Sequence, residues 1–390
     1  MNNMENITFN SFSQIADSIS ALQKTPIYYS GDDTYVMNIE NASREDYLRA
    51  ISEIEAGTCL STRVRRINDN EFFWAQKSEG YEGAYYIPAY RQVRMIKSMH
   101  GELAPLSLTE RSSFEGAKKL IQLCPDDEAS NFGMGYILCL GEGHFVIYDG
   151  NGDSGDMAGK IYDYLTRNTP DGQLPIIDAW FVSHVHWDHV TALLDFSKRY
   201  ADKVELRHLL ANFPALHNLY IKERGPNTDF YARWWPEILK NFPLTRVWKL
   251  HTGQRIEIGD AAIEVLLTHE DVQPATMYPN DSSTVTMMYV NGKKIFFPAD
   301  IEYDAPCKAM HDMYGSYLKS DYYQVSHHGW NSEALYFYDD VDAPNILWPV
   351  RYRYWDMIQQ FKATQRLTEE LNAEKRSFFM TIDKDAIIDL

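Results

Sequence analysis

The chain has 390 residues, of which 45% are hydrophobic, and its formal net charge is −18. This length favours two domains, and the hydrophobic fraction suffices for a large core. A chain this acidic repels phosphate backbones, and no local basic patch is visible, so we expect no tight binding to long nucleic acid.

The start of the chain has neither a basic stretch nor an apolar run, so no signal peptide is visible. No apolar segment approaches the ~18 residues that a membrane-spanning helix needs. The four cysteines lack CxxC spacing, which is typical of buried thiols in a reducing compartment. We therefore expect a cytoplasmic protein that acts on a small-molecule substrate and does not associate with a membrane.

Residues 1–110 predict a small α+β domain that carries no candidate metal ligand. A strand over 34–39 leads to a helix that Ser43 would cap and that would end at Gly57. Alternating segments follow, and a polar run with Pro105 indicates a linker near residues 101–111. Because this part of the chain is rich in tyrosine, we expect it to cap a pocket or to mediate contacts in a homo-oligomer.

Residues 111–390 predict strands interleaved with helices, and this alternation by itself indicates an α/β domain. Two strands are expected on either side of the turn at 141–143. A buried strand over 175–182 leads to a helix over 190–200. Other helices are predicted over 114–123, 157–168 and 355–374. Further strands are predicted over 204–210, 246–250, 263–268, 345–350, 377–383 and 386–388.

The most informative stretch is Ser183-His184-Val185-His186-Trp187-Asp188-His189, which places three imidazoles and a carboxylate within six residues. It follows the buried strand, and a tight loop there can bring these side chains together. A helix could not, because neighbours one residue apart on a helix face away from each other. Neutral imidazole and carboxylate are the usual ligands of zinc-like divalent ions. The stretch therefore predicts a metal site.

This stretch is the His-x-His-x-Asp-His signature of the metallo-β-lactamase superfamily, and further motifs resemble that family in the same order. Asp149 resembles the acid that closes an early strand and braces the histidine loop. Asp300 resembles the carboxylate that bridges two metals, and His327-His328-Gly329 resembles the last ligand motif. The resemblance implies an αβ/βα metallo-β-lactamase sandwich, preceded by the small α+β domain.

A closer resemblance is to the lactamase-like domain of competence DNA-uptake channel proteins and to phosphorylcholine esterases. It is carried by Asn280-Asp281-Ser282-Ser283-Thr284, by the His-His-Gly motif and by the strand–helix–strand tail. The competence proteins often lack the second His of the first motif. Because this chain has His186, we expect its metal site to be more complete than theirs.

The resemblance implies two divalent ions, and the third ligand of the first ion is left open by the sequence. We expect His269 in that place because it follows a strand, with Asn280 and His217 as alternatives. The full set of predicted metal ligands is His184, His186 and His269 for the first ion, Asp188, His189 and His328 for the second, and Asp300 between them.

Two cations about 3.5–4 Å apart can share a water and lower its pKa, which gives hydroxide at neutral pH. The predicted function is therefore that of an enzyme, a dinuclear metal-dependent hydrolase using a metal-bridged hydroxide that Asp188 helps to orient. Adjacent side chains in a loop point to different sides, so His327 would face the substrate and donate a proton to the leaving oxygen. Zinc is the expected metal, although manganese and iron also suit such a site.

The expected substrate is a phosphodiester or a related phosphoester, because the His-His-Gly and Asn-Asp-x-Ser motifs favour it by analogy. Two alternatives remain open. One is a hydrolase of another ester or amide, such as a lactone or a β-lactam. The other is a metal-stabilised binding protein without enzymatic activity.

Overall fold

A computed structural model describes residues 24–125, 133–152, 155–272, 277–302, 305–330 and 334–390. The chain divides into two compact units. The first extends to Leu103 and includes Asp312–Tyr314, and the second comprises Ala104–His311 and Gly315–Leu390. Within the described residues, no helix combines the length and the apolar character required to cross a lipid bilayer.

The first unit contains a helix and an antiparallel sheet. Helix α1 (Arg44–Ala56) is capped as predicted by Ser43, whose Oγ accepts from the Asp46 N–H at 3.2 Å. Asp46 Oδ2 in turn accepts from the Ser43 N–H at 2.7 Å, so two donors at the helix start are satisfied. The strands are β1 (Tyr28–Gly31), β2 (Thr34–Ile39), β3 (Ser61–Ile67), β4 (Asn70–Gln76), β5 (Tyr81–Ile87) and β6 (Gln92–Ser98). Their order in the sheet is β1-β2-β6-β5-β4-β3.

The second unit contains two larger sheets. Its strands are β7 (Lys119–Gln122), β8 (Gly135–Gly141), β9 (His144–Asp149), β10 (Ile176–Val182), β11 (Glu205–Leu206), β12 (His208–Ala211), β13 (Arg246–Lys249), β14 (Arg255–Ile258), β15 (Ala261–Leu267), β16 (Val285–Val290), β17 (Lys293–Phe297), β18 (Tyr322–Gln324), β19 (Asn345–Trp348), β20 (Ser377–Met380) and β21 (Ala386–Asp389). One sheet has the order β13-β12-β10-β9-β8-β7-β21, with β11 also paired to β10. The other has the order β14-β15-β16-β17-β18-β19-β20.

Helices alternate with these strands along the chain. They are α2 (Met157–Arg167), α3 (Trp187–Tyr200), α4 (Ile221–Asp229), α5 (Trp235–Asn241), α6 (His269–Val272), α7 (Ala305–Tyr314), α8 (Leu335–Val341), α9 (Tyr352–Ile358) and α10 (Lys362–Asn372). The helix predicted over 114–123 was wrong, because this segment contains strand β7. Two other predicted helix extents were also wrong. The helix expected over 190–200 begins earlier, at Trp187, and the helix expected over 355–374 is divided into α9 and α10.

The two larger sheets pack face to face around an apolar core. Tyr148 of β9 and Phe297 of β17 are fully buried, and their rings stack with centroids 4.4 Å apart. Helices cover the outer faces: Trp180 of β10 contacts Phe196 of α3, and on the other sheet β17 and α8 are in ring contact. The predicted fold class, an αβ/βα sandwich preceded by an α+β segment, is thus confirmed.

Parallel strands place the candidate site residues along one edge of each sheet. The neighbours β9, β10, β12 and β13 are parallel, as are β17, β18, β19 and β20. Ligands of open α/β sheets bind outside the carboxyl ends of such strands. Asp149 ends β9, His184 follows β10, Asp300 follows β17 and His328 follows β18.

Candidate metal centre

The histidine run begins directly after β10 and continues into helix α3. His184 is fully buried, and its Nδ1 lies 3.0 Å from the Ser183 Oγ. Its Nε2 is buried and has no hydrogen-bond partner among the described residues. His186 is half-buried at the N-terminal cap of α3, and Asp188 and His189 lie in the first turn of that helix. The first turn of α3 therefore contributes Asp188 and His189, two of the four candidate ligands in the histidine run.

Asp149 fixes the geometry of this run. Its Oδ1 accepts from the Ser183 N–H at 2.7 Å, and its Oδ2 accepts from the Ser183 hydroxyl at 2.7 Å. The same Oδ2 lies 2.8 Å from His189 Nδ1. Burial raises the pKa of Asp149, although His189 and Ser183 oppose that shift. Because Nδ1 of His189 bonds to this carboxylate, its Nε2 faces the opposite way.

Four buried side chains converge beyond that Nε2. Asp188, His189, Asp300 and His328 each offer one ligand atom, and these atoms lie within 4.8 Å of one another. Asp300 Oδ2 is the common neighbour, at 3.1 Å from His189 Nε2, 3.5 Å from His328 Nε2 and 3.9 Å from His184 Nε2. Asp188 Oδ2 lies 3.4 Å from His328 Nε2.

The imidazoles of the cluster offset the effect of burial on the pKa of its carboxylates. Burial would raise the pKa of Asp300, but His189 and His328 outweigh burial and hold that pKa well below its usual range. Burial would lower the pKa of His328, but Asp300 and Asp188 outweigh it and raise the pKa to about 9. Buried carboxylates and imidazoles this close need a shared proton or a cation between them.

The donor set fits a divalent cation. His328 Nδ1 lies 3.0 Å from the backbone oxygen of Pro349, so the outer nitrogens of His184, His189 and His328 are each engaged. A cation that displaces the second protons of these rings could then bind the inner Nε2 atoms, an arrangement typical of metal-binding histidines. The buried Oδ1 of Asp300 also has no hydrogen-bond partner within the described part of the chain. A cation would satisfy these atoms.

His327 and His328 have different surroundings despite being adjacent. Both adopt left-handed backbone angles, with φ of 45° and 57°. His328 lies in the four-residue cluster, whereas His327 Nε2 lies 3.2 Å from Asn280 Nδ2 and its Nδ1 lies 3.6 Å from Glu302 Oε1. Burial lowers the pKa of His327 to about 4, so its imidazole is neutral at pH 7. Because an amide nitrogen only donates, Nε2 is the acceptor and Nδ1 carries the proton.

The structure does not bring His269 to these residues. Helix α6 begins at His269, and the imidazole Nε2 lies 3.0 Å from the Asn212 Oδ1 in a fully buried environment. Its neighbours include the buried pair of His251 and Glu270, which are 2.7 Å apart. His269 is not a member of the four-residue cluster and one of its ring nitrogens bonds to Asn212, so its role as the third ligand stays a prediction that these contacts do not support.

Of the two alternatives, Asn280 is the one that the geometry favours. His217 is exposed, whereas Asn280 is buried against His327 and its Oδ1 has no hydrogen-bond partner among the described residues. The loop of Asn280 is also fastened to both other motifs. The Thr284 N–H donates to the Ser183 backbone oxygen at 3.0 Å, and Ser283 Oγ lies 3.3 Å from the Asp300 nitrogen.

Sequence reasoning missed two residues of the centre. Ser183 directly precedes the histidine run, and its hydroxyl connects Asp149 to His184. Glu302 lies two residues after Asp300 and accepts from Asn280 Nδ2 at 3.0 Å. A serine adjacent to the run and a second acid two residues after Asp300 are the sequence signals that could have indicated them.

No protein-family model matches the chain, and no curated protein matches it in sequence. Several solved structures resemble it in fold. The metallo-β-lactamase fold protein YhfI from Bacillus subtilis is 12% identical, covering 70% of this chain and 100% of its own, with a TM-score of 0.42. CmlA, a diiron β-hydroxylase from Streptomyces venezuelae, is 11% identical over 71% of this chain and 55% of its own, with a TM-score of 0.43. The short form of human tRNase Z is 11% identical over 69% of this chain and 98% of its own, with a TM-score of 0.36.

At 11–12% identity, these likenesses concern the fold alone. The finer resemblance to competence DNA-uptake proteins and phosphorylcholine esterases stays a prediction.

The role of Asp149 gives a test with a matched control. Asp149→Asn should weaken metal affinity by about 10–100-fold, because an outer partner that orients a ligand histidine contributes on this scale. Asp178→Asn is the control, since Asp178 is equally buried and also lies 2.7 Å from a histidine, His144. We expect both variants to lose thermal stability but only Asp149→Asn to lose affinity in a competition titration with a chromogenic zinc chelator. Equal affinities in the two variants would contradict the assignment.

Proposed function

We propose that this chain is a dinuclear metal-dependent hydrolase that acts on a phosphodiester or a related small phosphoester. The observation that carries the proposal is the position of Asp300, whose Oδ2 lies within 3.9 Å of three imidazole nitrogens. A carboxylate in that position is suited to hold two ions at once. Asp188 and two of those imidazoles, His189 and His328, lie together in the buried cluster.

The two ions would have separate donor sets on this chain. We assign His184, His186 and Asn280 to the first ion. Asp188, His189 and His328 are assigned to the second ion, and Asp300 to both. Zinc suits the histidine-rich set, and manganese or iron is compatible with it. A structural zinc site closes its coordination with protein ligands, whereas shared sites of this kind leave positions for water and substrate.

Bound divalent ions would supply a water of lowered pKa and polarise the scissile group. Asp188 has a carboxylate that can accept a hydrogen bond from the attacking water and so orient it. His327 is neutral at pH 7, and its buried Nδ1 has no hydrogen-bond partner among the described residues. We assign this N–H to the substrate, where it would hold an oxygen of the leaving group.

A panel of chromogenic substrates tests the reaction class. The zinc- or manganese-loaded protein should hydrolyse a bis-aryl phosphodiester faster than a phosphomonoester, a lactone or a β-lactam, measured as kcat/KM. Preference for the lactone or the β-lactam would replace the proposed substrate with another ester or amide. No turnover of any substrate by protein that holds two ions would favour a metal-stabilised binding protein.

Metal content is the most direct prediction. Elemental analysis of the purified protein should find two ions per chain, and Asp300→Ala should lose at least one ion and nearly all turnover, because Asp300 contributes to both donor sets. Far-ultraviolet circular dichroism should show the fold retained. A content near zero, with no uptake of added zinc or manganese, would refute the dinuclear centre.

The adjacent histidines should differ in their effects. His328→Ala should lower the metal content, because it removes a member of the buried cluster. His327→Ala should retain both ions and lower kcat by about 10²–10⁴-fold, the range of a lost proton-donating group. That loss should shrink for substrates with good leaving groups. If His327→Ala loses an ion and His328→Ala does not, the two roles must be exchanged.

A further inference from the structure

The contacts of Glu302 suggest a function for a residue outside the ligand motifs. Glu302 is half-buried, and its Oε1 accepts a hydrogen bond from Asn280 Nδ2 at 3.0 Å. The same Nδ2 lies 3.2 Å from His327 Nε2. One amide nitrogen therefore lies between a carboxylate and an imidazole acceptor.

A side-chain amide can be turned by 180° with almost no change in shape, so its neighbours decide which end faces them. At pH 7 a glutamate carboxylate accepts hydrogen bonds and does not donate them. With the amide reversed, the Asn280 Oδ1 would face Glu302 Oε1, and two acceptors would repel each other. Glu302 therefore selects the orientation in which Asn280 presents its NH₂ group.

This choice has two consequences at the metal centre. The Asn280 Oδ1 is left buried and without a hydrogen-bond partner among the described residues, which makes it available as a neutral oxygen ligand. The second consequence concerns His327. Because its Nε2 accepts from the amide, its proton stays on Nδ1, which is the nitrogen assigned to the substrate.

We propose that Glu302 is a positioning residue that fixes the amide orientation of Asn280 and, through it, the tautomer of His327. The inference rests on the proposed metal centre, since Asn280 is assigned there to the first ion. Glu302 itself need not touch an ion. Its effect on metal binding passes through Asn280, while its Oε1 also lies 3.6 Å from His327 Nδ1.

The backbone holds Glu302 in this place. The His327 N–H donates to the Ala299 backbone oxygen at 3.1 Å, and the Ser326 hydroxyl donates to the Ile301 backbone oxygen. The segment from Ala299 to Glu302 is thus bonded to the His-His-Gly turn at two points. The carboxylate of Glu302 and the ring of His327 are presented to Asn280 by loops that are tied to each other.

A double-mutant cycle separates positioning from direct ligation. Zinc affinity is measured by chelator competition for the wild type, Glu302→Gln, Asn280→Ala and the double variant. A glutamine amide can either donate or accept, so it no longer selects one orientation of Asn280. We expect Glu302→Gln to weaken binding of one ion by about 10–100-fold and to leave the other ion unchanged. The double variant should bind no more weakly than Asn280→Ala alone.

Glu142→Gln is the matched control. Glu142 lies in the turn before β9, and its side chain bonds to Arg111. Its side chain is 31% exposed, which is similar to the 24% of Glu302. It should keep both zinc affinities. The thermal midpoints of all variants in excess chelator report on folding without metal. Similar midpoints for Glu302→Gln and the wild type would show that the affinity change is not a loss of fold.

The outcomes distinguish this inference from the proposed function. If the wild type binds two zinc ions and Glu302→Gln binds them equally well, the positioning role is wrong and the metal centre stands. If the losses from Glu302→Gln and Asn280→Ala multiply in the double variant, Glu302 acts independently of Asn280 and the inference is overturned. If the wild type takes up no zinc, the proposed function fails and this inference fails with it.

Discussion

The compensation of buried negative charge is the constraint on which this centre depends. Asp300 is 1% exposed, and Asp149 is fully buried near it in an apolar sandwich. Removing an ionised carboxylate from water costs several kcal/mol unless positive charge and hydrogen bonds replace the solvent. The protein meets this requirement with His189, which lies between the two carboxylates at 2.8 Å from one and 3.1 Å from the other. The surrounding loops hold this arrangement together.

The backbone at these loops is strained, and side-chain bonds maintain the strain. Asp149, Ala299, His327 and His328 all have φ between 45° and 57°, a region that residues with a Cβ rarely occupy. Each such position costs on the order of 1–2 kcal/mol. At Ala299 the N–H donates to Gln324 Oε1 at 2.9 Å, which links the loop after β17 to β18. Strain that the surroundings must maintain is typical of residues placed for function rather than for stability.

The sequence allowed the fold and most of the centre to be predicted because both depend on local patterns. Alternation of strands and helices indicated an α/β domain, and the resemblance carried by the motifs implied the sandwich. The dense histidine run lay at a strand end where neighbouring side chains can meet. The start of α3 was missed because His186 caps the helix without a side-chain hydrogen bond, so the usual capping signal is absent. The contact that His269 makes was not predictable for a different reason. Its partner Asn212 is 57 residues earlier in the chain, and no local pattern indicates such a contact.

The two proposed donor sets differ in charge, and this difference explains why Glu302 would matter. The second set combines the buried carboxylates of Asp188 and Asp300 with two imidazoles, so Coulomb attraction alone favours a divalent ion there. The first set contributes neutral imidazoles and a neutral amide, and shares only Asp300. A neutral site depends on the direction in which each lone pair points, because little net charge compensates for a misplaced ligand. An amide is the one ligand of that set whose donor and acceptor ends can exchange without moving the backbone, and the carboxylate beside it prevents that exchange.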